Sequence, residues 1–247
     1  MIFPLKNQYN FEIGITTNGT LLEDKISSLH SLGVNRLNIS LDSLNRNKFI
    51  AITGKDLVDT TLRSINKGLQ YDFDKVKINA VIIKNINDNE LIDFIEQFKH
   101  TNLNIRFIEY MPFSGNGWDN SKFISWEEMK AIIETKYHLQ EIISDGNVAK
   151  DFLFNGTNLK VSFMSSISNH FYDSCNRLRF TASGKIKNCL FAQSEEIGLK
   201  SLLSDLSISD DDIASVILKS LQNKWLNHPS ADELAKLNHN NMMSIGG

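Results

Sequence analysis

The stretch FYDSCNRLRFTASGKIKNCLF, residues 171–191, holds both cysteines of the chain, Cys175 and Cys189, with thirteen residues between them. Thiolates ligate zinc or iron, but neither a structural zinc nor a four-iron cluster is held by two protein ligands alone. On these two residues alone, a pair of buried thiols is the commoner reading. Arg177, Arg179, Lys185 and Lys187 lie between them. In a strand, Arg177 and Arg179 share one face while Leu178 and Phe180 share the other. Two neighbouring guanidiniums persist most easily where they grip an anion bidentately. A solvated basic face accounts for them about as well.

A second set of polar residues sits at or inside apolar runs. Thr16, Thr17 and Asn18 close the run FEIGITT, Ser40 and Asp42 close NRLNISLD, and Met111 closes LNIRFIEYM. Each has a plain structural reading: turn formers at a strand end, caps for the next helix, and core packing for the methionine. Lys77, inside KVKINAVIIK, is odder. It either snorkels outward or points inward, where desolvation and an anionic ligand would give it a role. A Schiff-base lysine, and with it an aldolase-like lyase, is one such role. That reading leaves the NRLR arginines and the cysteines unexplained. The six histidines show no ligand spacing.

The elements that must position these residues alternate. Four apolar strand patterns, at 11–17, 35–42, 75–84 and 103–111, are separated by helical patterns. One helix carries Val58, Leu62, Ile65 and Leu69 as a single stripe, and another is built on Leu91, Ile92, Ile95 and Phe98. Repeated βα units with apolar strands indicate a parallel sheet flanked by helices. In such folds the chemistry lies at the carboxyl ends of the strands. Ser125 to Glu128 reads as a capping box opening a helix to about residue 137. A hairpin is expected across Asn155-Gly156, and the cysteine segment reads as two short strands joined through Ser183-Gly184. Ser209 is placed to cap a helix with Ile213, Val216, Ile217, Leu221 and Trp225 on one face. The Gly/Asn-rich FSGNGWDN suggests a boundary near 113–120, giving domains at 1–115 and 116–247.

The 247 residues are 41% hydrophobic and 22% charged with a net charge of −3, an ordinary globular composition. That charge does not suggest a nucleic-acid partner. No apolar run approaches the ~18 residues that span a bilayer, and the first residues lack the pattern of a secretory signal. A reducing cytoplasm is the expected setting for so few cysteines.

Taken together, TTNGTLL, NRLNISLDSL, VKINAVIIKNIND, IRFIEYMPF, CNRLRFTASGKIKNCLF and the terminal IGG closely resemble the GTP 3′,8-cyclases of molybdenum-cofactor biosynthesis. The resemblance runs from about residue 11 to Gly247. It implies a radical S-adenosylmethionine lyase on a partial (β/α) TIM-type barrel with a C-terminal α+β segment. A first four-iron cluster and S-adenosylmethionine supply a 5′-deoxyadenosyl radical that starts cyclisation of GTP to a pterin precursor. A second cluster has three cysteine ligands. By this resemblance Ser40 and Met111 contact S-adenosylmethionine, and Thr16, Lys77, Arg177 and Arg179 contact GTP. Cys175 and Cys189 hold the second cluster, and the Gly246-Gly247 tail reaches the active site.

Two departures accompany the resemblance. The cysteines of the radical-generating cluster and the Gly-Gly-Glu-Pro segment have no counterpart, so the barrel is expected to lack its first two βα units. A gene fragment or a misplaced start codon is the expected cause, with a half that pairs with a separately encoded amino-terminal piece as the alternative; a homodimer is the other partner expected. Tyr172 stands where the family has a third cysteine, so weak cluster binding is expected. The alternative to a cyclase is then a non-catalytic GTP-binding remnant or subunit.

Overall fold

The computed structural model describes residues 11–142, 149–154, 156–168, 177–191, 197–205, 207–222 and 229–236. The chain divides into two compact units, Met1–Tyr110 with Ile124–Ser165, and Met111–Phe123 with Ser166–Gly247.

The first unit is built on a seven-stranded sheet in the order β1-β2-β3-β4-β7-β6-β5. The strands are β1 (Gly14–Thr17), β2 (Arg36–Ser40), β3 (Lys75–Ile82), β4 (Asn104–Glu109), β5 (Leu139–Ile142), β6 (Ala149–Phe154) and β7 (Lys160–Met164). Pairing from β1 through β4 to β7 is parallel, and β6 runs antiparallel to both of its neighbours, β7 and β5. The four strands expected from the apolar runs are all present. Three more, from beyond residue 123, join the same sheet, because β7 pairs in parallel with β4. Residues 124–165 thus belong with the first unit. The fold is α/β, and an open, mostly parallel sheet of this kind fits a partial barrel.

Strand alternation gives the sheet one apolar face. Leu37, Ile39, Ile78, Ile82, Ile105, Phe107, Val161 and Phe163 are buried there. Helices α1 (Ile26–Ser31), α2 (Arg46–Thr53), α3 (Val58–Gly68), α4 (Leu91–Phe98) and α5 (Trp126–Glu134) follow in chain order. Their buried residues, Ile26, Phe49, Ile65, Phe94, Ile95, Met129 and Ile133, join the same core. Each such side chain contributes roughly 1.5–3 kcal/mol by burial. Phe94 meets Phe107 edge-on with ring centroids 5.9 Å apart, a favoured aromatic geometry. In α3, Val58 and Ile65 are buried, while Leu62 and Leu69 pack partly against the core.

Local signals explain the element ends. Ser125 accepts from the Glu128 amide and Glu128 accepts from the Ser125 amide, the reciprocal capping box that opens α5. The turn after β1 uses Thr17 and Asn18, whose side chains accept from the amides of Gly19 and Thr20. Gly19 has φ of 79°, and a Cβ there would lie 3.0 Å from an Ile39 methyl, so glycine is required on both counts. The cap of α2 is Asn45, which accepts from the amides of Asn47 and Lys48. Neither Ser40 nor Asp42 takes that role.

In the second unit, a three-stranded antiparallel sheet runs β10-β9-β8, with β8 (Arg179–Phe180), β9 (Lys185–Lys187) and β10 (Ile197–Gly198). The β8–β9 hairpin closes through Gly184 at φ of 78°, where a Cβ would meet Lys200 at 2.7 Å. Helices α6 (Leu199–Ser204), α7 (Asp210–Gln222) and α8 (Ala231–Lys236) complete the unit. Ser209 and Asp212 exchange side-chain and backbone hydrogen bonds at the start of α7. Ile213, Val216, Ile217 and Leu221 are each half-buried along that helix; Trp225 lies outside the described residues.

Candidate functional site

The sheet face opposite the helix-covered core is polar across its width. Cα partners place Thr16, Asn38, Lys77, Asn104 and Lys160 in one row from β1 to β7. Two residues further along the strands, Ser40, Asn79, Arg106, Ser162 and Asp151 form a second row. Period-two alternation puts both rows on the same side. Asn38 donates Nδ2 to the Thr16 hydroxyl at 3.2 Å, and Arg106 donates Nε to Asn79 Oδ1 at 2.8 Å. The Ser162 hydroxyl donates within reach of Asn104 Oδ1 at 2.9 Å and Asp151 Oδ1 at 2.6 Å.

Lys77 sits in the middle of this face, half-buried. Burial pushes its ammonium down to about 8, and the neighbouring charges of Arg106, Lys75 and Arg36 add to the effect. Asp151 offsets part of it. A site in which neighbouring cations disfavour the charge of Lys77 is one that an anion relieves.

At the carboxyl ends of β1 and β2, a cleft of about 290 Å³ is lined by Asn18, Ser40, Asp42, Phe49, Thr53 and Leu57, among others. The Asp42 carboxyl accepts the Val81 amide at 2.8 Å. Burial pushes this carboxyl up to about 6, with the Val81 amide opposing the shift. Asn87 braces the same corner, donating to the Asp42 carbonyl at 2.6 Å and the Val81 carbonyl at 2.9 Å.

Thr16, Ser40 and Lys77 therefore share one face of the first unit. Met111, Arg177, Arg179 and Cys189 belong to the second unit. Met111 packs there against the cluster of Phe113, Phe191 and Leu234, as do Cys189, Leu190 and Ile167. Phe113 and Phe191 stack with centroids 5.4 Å apart. Arg179 stands opposite Lys187 in the β8–β9 ladder. Arg177 precedes β8 and is exposed, so the two arginines do not share a strand face as expected. Cys175, Tyr172, Gly246 and Gly247 lie outside the described residues. Among those described, Cys189 is a free, half-buried thiol, and no three His, Cys, Asp or Glu side chains are grouped to hold a metal ion.

Reading single residues missed Asn38, Asn79, Arg106, Asp151 and Ser162. Their signal is alternation: Arg36-Asn38-Ser40, Lys75-Lys77-Asn79, Asn104-Arg106 and Lys160-Ser162 each place polar residues two apart in an apolar strand. A parallel sheet buried on both faces has no use for that pattern. A sheet with one polar face does.

Residues 2–98 match the radical SAM superfamily, and residues 103–230 match the family described as Molybdenum Cofactor Synthesis C. The chain is 42% identical over 240 residues to molybdenum cofactor biosynthesis protein 1 of Dictyostelium discoideum, covering 95% of this chain and 38% of that protein. It is 35% identical to the GTP 3′,8-cyclase, mitochondrial, of Arabidopsis thaliana, over 95% of this chain and 60% of that one. The GTP 3′,8-cyclase of Syntrophomonas wolfei is 36% identical over 96% of this chain and 73% of its own length. The chain thus spans well under two thirds of the Dictyostelium relative. Membership of the radical SAM superfamily implies an iron–sulfur cluster and S-adenosylmethionine as cofactors. On both family matches and these identities, the chain belongs to the molybdenum-cofactor-synthesis family of radical SAM proteins that includes the GTP 3′,8-cyclases.

Proposed function

We propose that this chain binds GTP on the polar face of its first unit and serves the radical cyclisation of GTP in molybdenum-cofactor biosynthesis. The observation that carries the reading is the row Thr16-Asn38-Lys77, with Arg106 one row on. A triphosphate needs several fixed cations, and Lys77 with Arg106 supplies them where burial strengthens each contact. Arg177 and Arg179, from the second unit, are the further phosphate contacts that the resemblance implies. Thr16, held by Asn38, offers a hydroxyl to the nucleotide. Ser40, beside Asn18 and Asp42, offers polar groups to the hydroxyls of S-adenosylmethionine, and Met111 an apolar contact. The Gly246-Gly247 tail has no side chains to hinder a close approach to the nucleotide.

When bound, the family's cluster and S-adenosylmethionine supply the radical that abstracts hydrogen from the GTP ribose. The donors of this chain fall short of holding that group. It has two cysteines in all, whereas a four-iron cluster in this family takes three. We infer that these residues bind the nucleotide and that two cysteines do not support radical generation from S-adenosylmethionine.

A Schiff-base role for Lys77 has one observation in its favour, an ammonium lowered to about 8. The surrounding cations argue for an anion instead. Equilibrium dialysis of the chain against GTP tests the reading. Retention that weakens about tenfold or more in Lys77→Ala, in line with the loss of one charged hydrogen bond, is expected. No retention of GTP, or trapping of a carbonyl compound on Lys77 by borohydride, overturns it.

A further inference from the structure

A buried carboxylate holds the corner between β2 and α2. Glu90 ends the short turn Asp88–Glu90 that follows β3, and its side chain is 5% exposed. Its Oε2 accepts from the amides of Leu44 and Asn45 at 2.8 and 3.2 Å. The buried Ser43 hydroxyl lies 2.9 Å from both carboxylate oxygens and donates to the pair. Lys48, in the first turn of α2, closes the set with Nζ 3.1 Å from Oε1. The same ammonium donates to Asn89 Oδ1 at 2.6 Å. Hydrogen bonds to a charged group are the strong ones, and a buried carboxylate stripped of them is costly to keep.

Glu90 is not among the residues that line the carboxyl-end cleft. Ser40, Asp42, Phe49, Thr53, Lys55 and Leu57 are, and they come from one continuous segment. Ser40 and Asp42 stand before the Ser43–Asn45 corner; Phe49 and Thr53 lie on α2 beyond it. Asn45 also caps α2, so the start of the helix is fixed to the corner. The bend there sets how far the α2 wall stands from Ser40. We propose that Glu90 is a positioning residue for the ligand of this cleft, clamping the corner through Ser43, Leu44, Asn45 and Lys48 so that the two walls keep one spacing. The inference rests on the reading of the cleft as the S-adenosylmethionine site and adds to it a residue that touches no ligand. A clamped corner lowers the ordering cost that the ligand meets on binding.

The test is titration calorimetry of the full chain with S-adenosylhomocysteine, which lacks the reactive sulfonium, beside amide hydrogen exchange. Glu90→Gln keeps the size of the side chain and removes the charge that faces Lys48. Affinity should fall about tenfold or more, as for the loss of a charged hydrogen bond. Exchange should quicken at Leu44, Asn45 and along α2 while β4 stays protected. Lys48→Gln, at a side chain 29% exposed, should lose affinity by a smaller factor with the fold intact. Val161→Ala, a core substitution in β7, costs stability without touching the corner and should leave affinity unchanged. Unchanged affinity in both corner variants overturns the proposal, as does an equal loss in Val161→Ala. If the unaltered chain binds no S-adenosylhomocysteine, the reading of the cleft as a cofactor site falls instead. The exchange pattern then decides by itself whether Glu90 clamps the corner: no change at Leu44 and Asn45 in Glu90→Gln overturns it.

Discussion

Asn38 donates its side-chain Nδ2 to the Thr16 hydroxyl across 3.2 Å, and its Cα stands in register with Lys77. One asparagine thus ties the first strand of the sheet to the lysine at the centre of the polar face. Asn38→Ala removes the hydrogen bond and leaves Thr16 free to rotate. The expected cost is about 0.5–1.5 kcal/mol of stability, at the low end because the pair is exposed. GTP affinity should fall severalfold with it, and a urea titration beside a GTP titration reads both. A variant that loses stability yet keeps its full GTP affinity would remove Asn38 and Thr16 from the binding account.

The Asp42 carboxyl gives the first unit a pH dependence whose sign is opposite to that of most carboxylates. Its folded value, about 6, lies above the ordinary 3.8 because burial disfavours the charge. The folded state therefore binds more protons than the unfolded state between these values. Stability from this group is full below the unfolded value and is lost as pH rises through about 6. Asp42→Asn keeps an acceptor for the Val81 amide and removes the charge. It should flatten the denaturation midpoint between pH 4 and 6 and raise it by the equivalent of about 3 kcal/mol at pH 7. Asp42→Ala loses the acceptor as well and should destabilise. An Asp42→Asn profile superimposable on the original would show that the carboxyl is not desolvated.

Glu96 behaves in the usual sense. Hydrogen bonds from Lys136, Lys99 and Tyr137 hold its carboxyl down at about 2. Its contribution is present above the ordinary 4.5 and is lost as pH falls toward the folded value. Because the side chain is about one-third exposed, salt should screen much of the effect. Glu96→Gln is expected to matter little at neutral pH in high salt. Acid unfolding of the variant should begin at the same pH as the original only if this network holds nothing together.

How much of this was legible in the sequence differs between elements. Whereas the apolar runs 35–42 and 103–111 overshoot strands that end at Ser40 and Glu109, the strand end at Thr17, the Ser125 capping box and the Ser209 cap follow from local patterns that decide their own geometry. The sheet's extension by β7, β6 and β5 did not, because pairing of Asn104 with Lys160 joins residues far apart in the chain. Lys77 stood out as a cation inside an apolar strand. Arg106 and Asn79 did not, since each is ordinary in its own strand and acquires meaning only when registered beside the other. Arg177 and Arg179 were expected on one strand face, but β8 begins at Arg179, so alternation does not reach Arg177.

Tyr172 occupies the position where the resemblance places a third cysteine. With Cys175 and Cys189 alone, anaerobic reconstitution should give iron in less than stoichiometric amount, lost on a desalting column. Tyr172→Cys should gain iron that survives the column. Stoichiometric four-iron loading of the unaltered chain that survives desalting would contradict this.

The most direct test of the polar face as a GTP site is the titration of Lys77 itself, followed by NMR of isotopically labelled lysine side chains. In the free chain the Lys77 ammonium should lose its proton at about pH 8, with burial and the neighbouring cations as the cause. A bound triphosphate supplies the missing negative charge, so saturating GTP should move that titration upward by about a unit or more, with proton uptake near pH 8. GTP affinity should accordingly decline as the pH rises past the free-chain value. A Lys77 titration that stays where it is at saturating GTP would contradict the account.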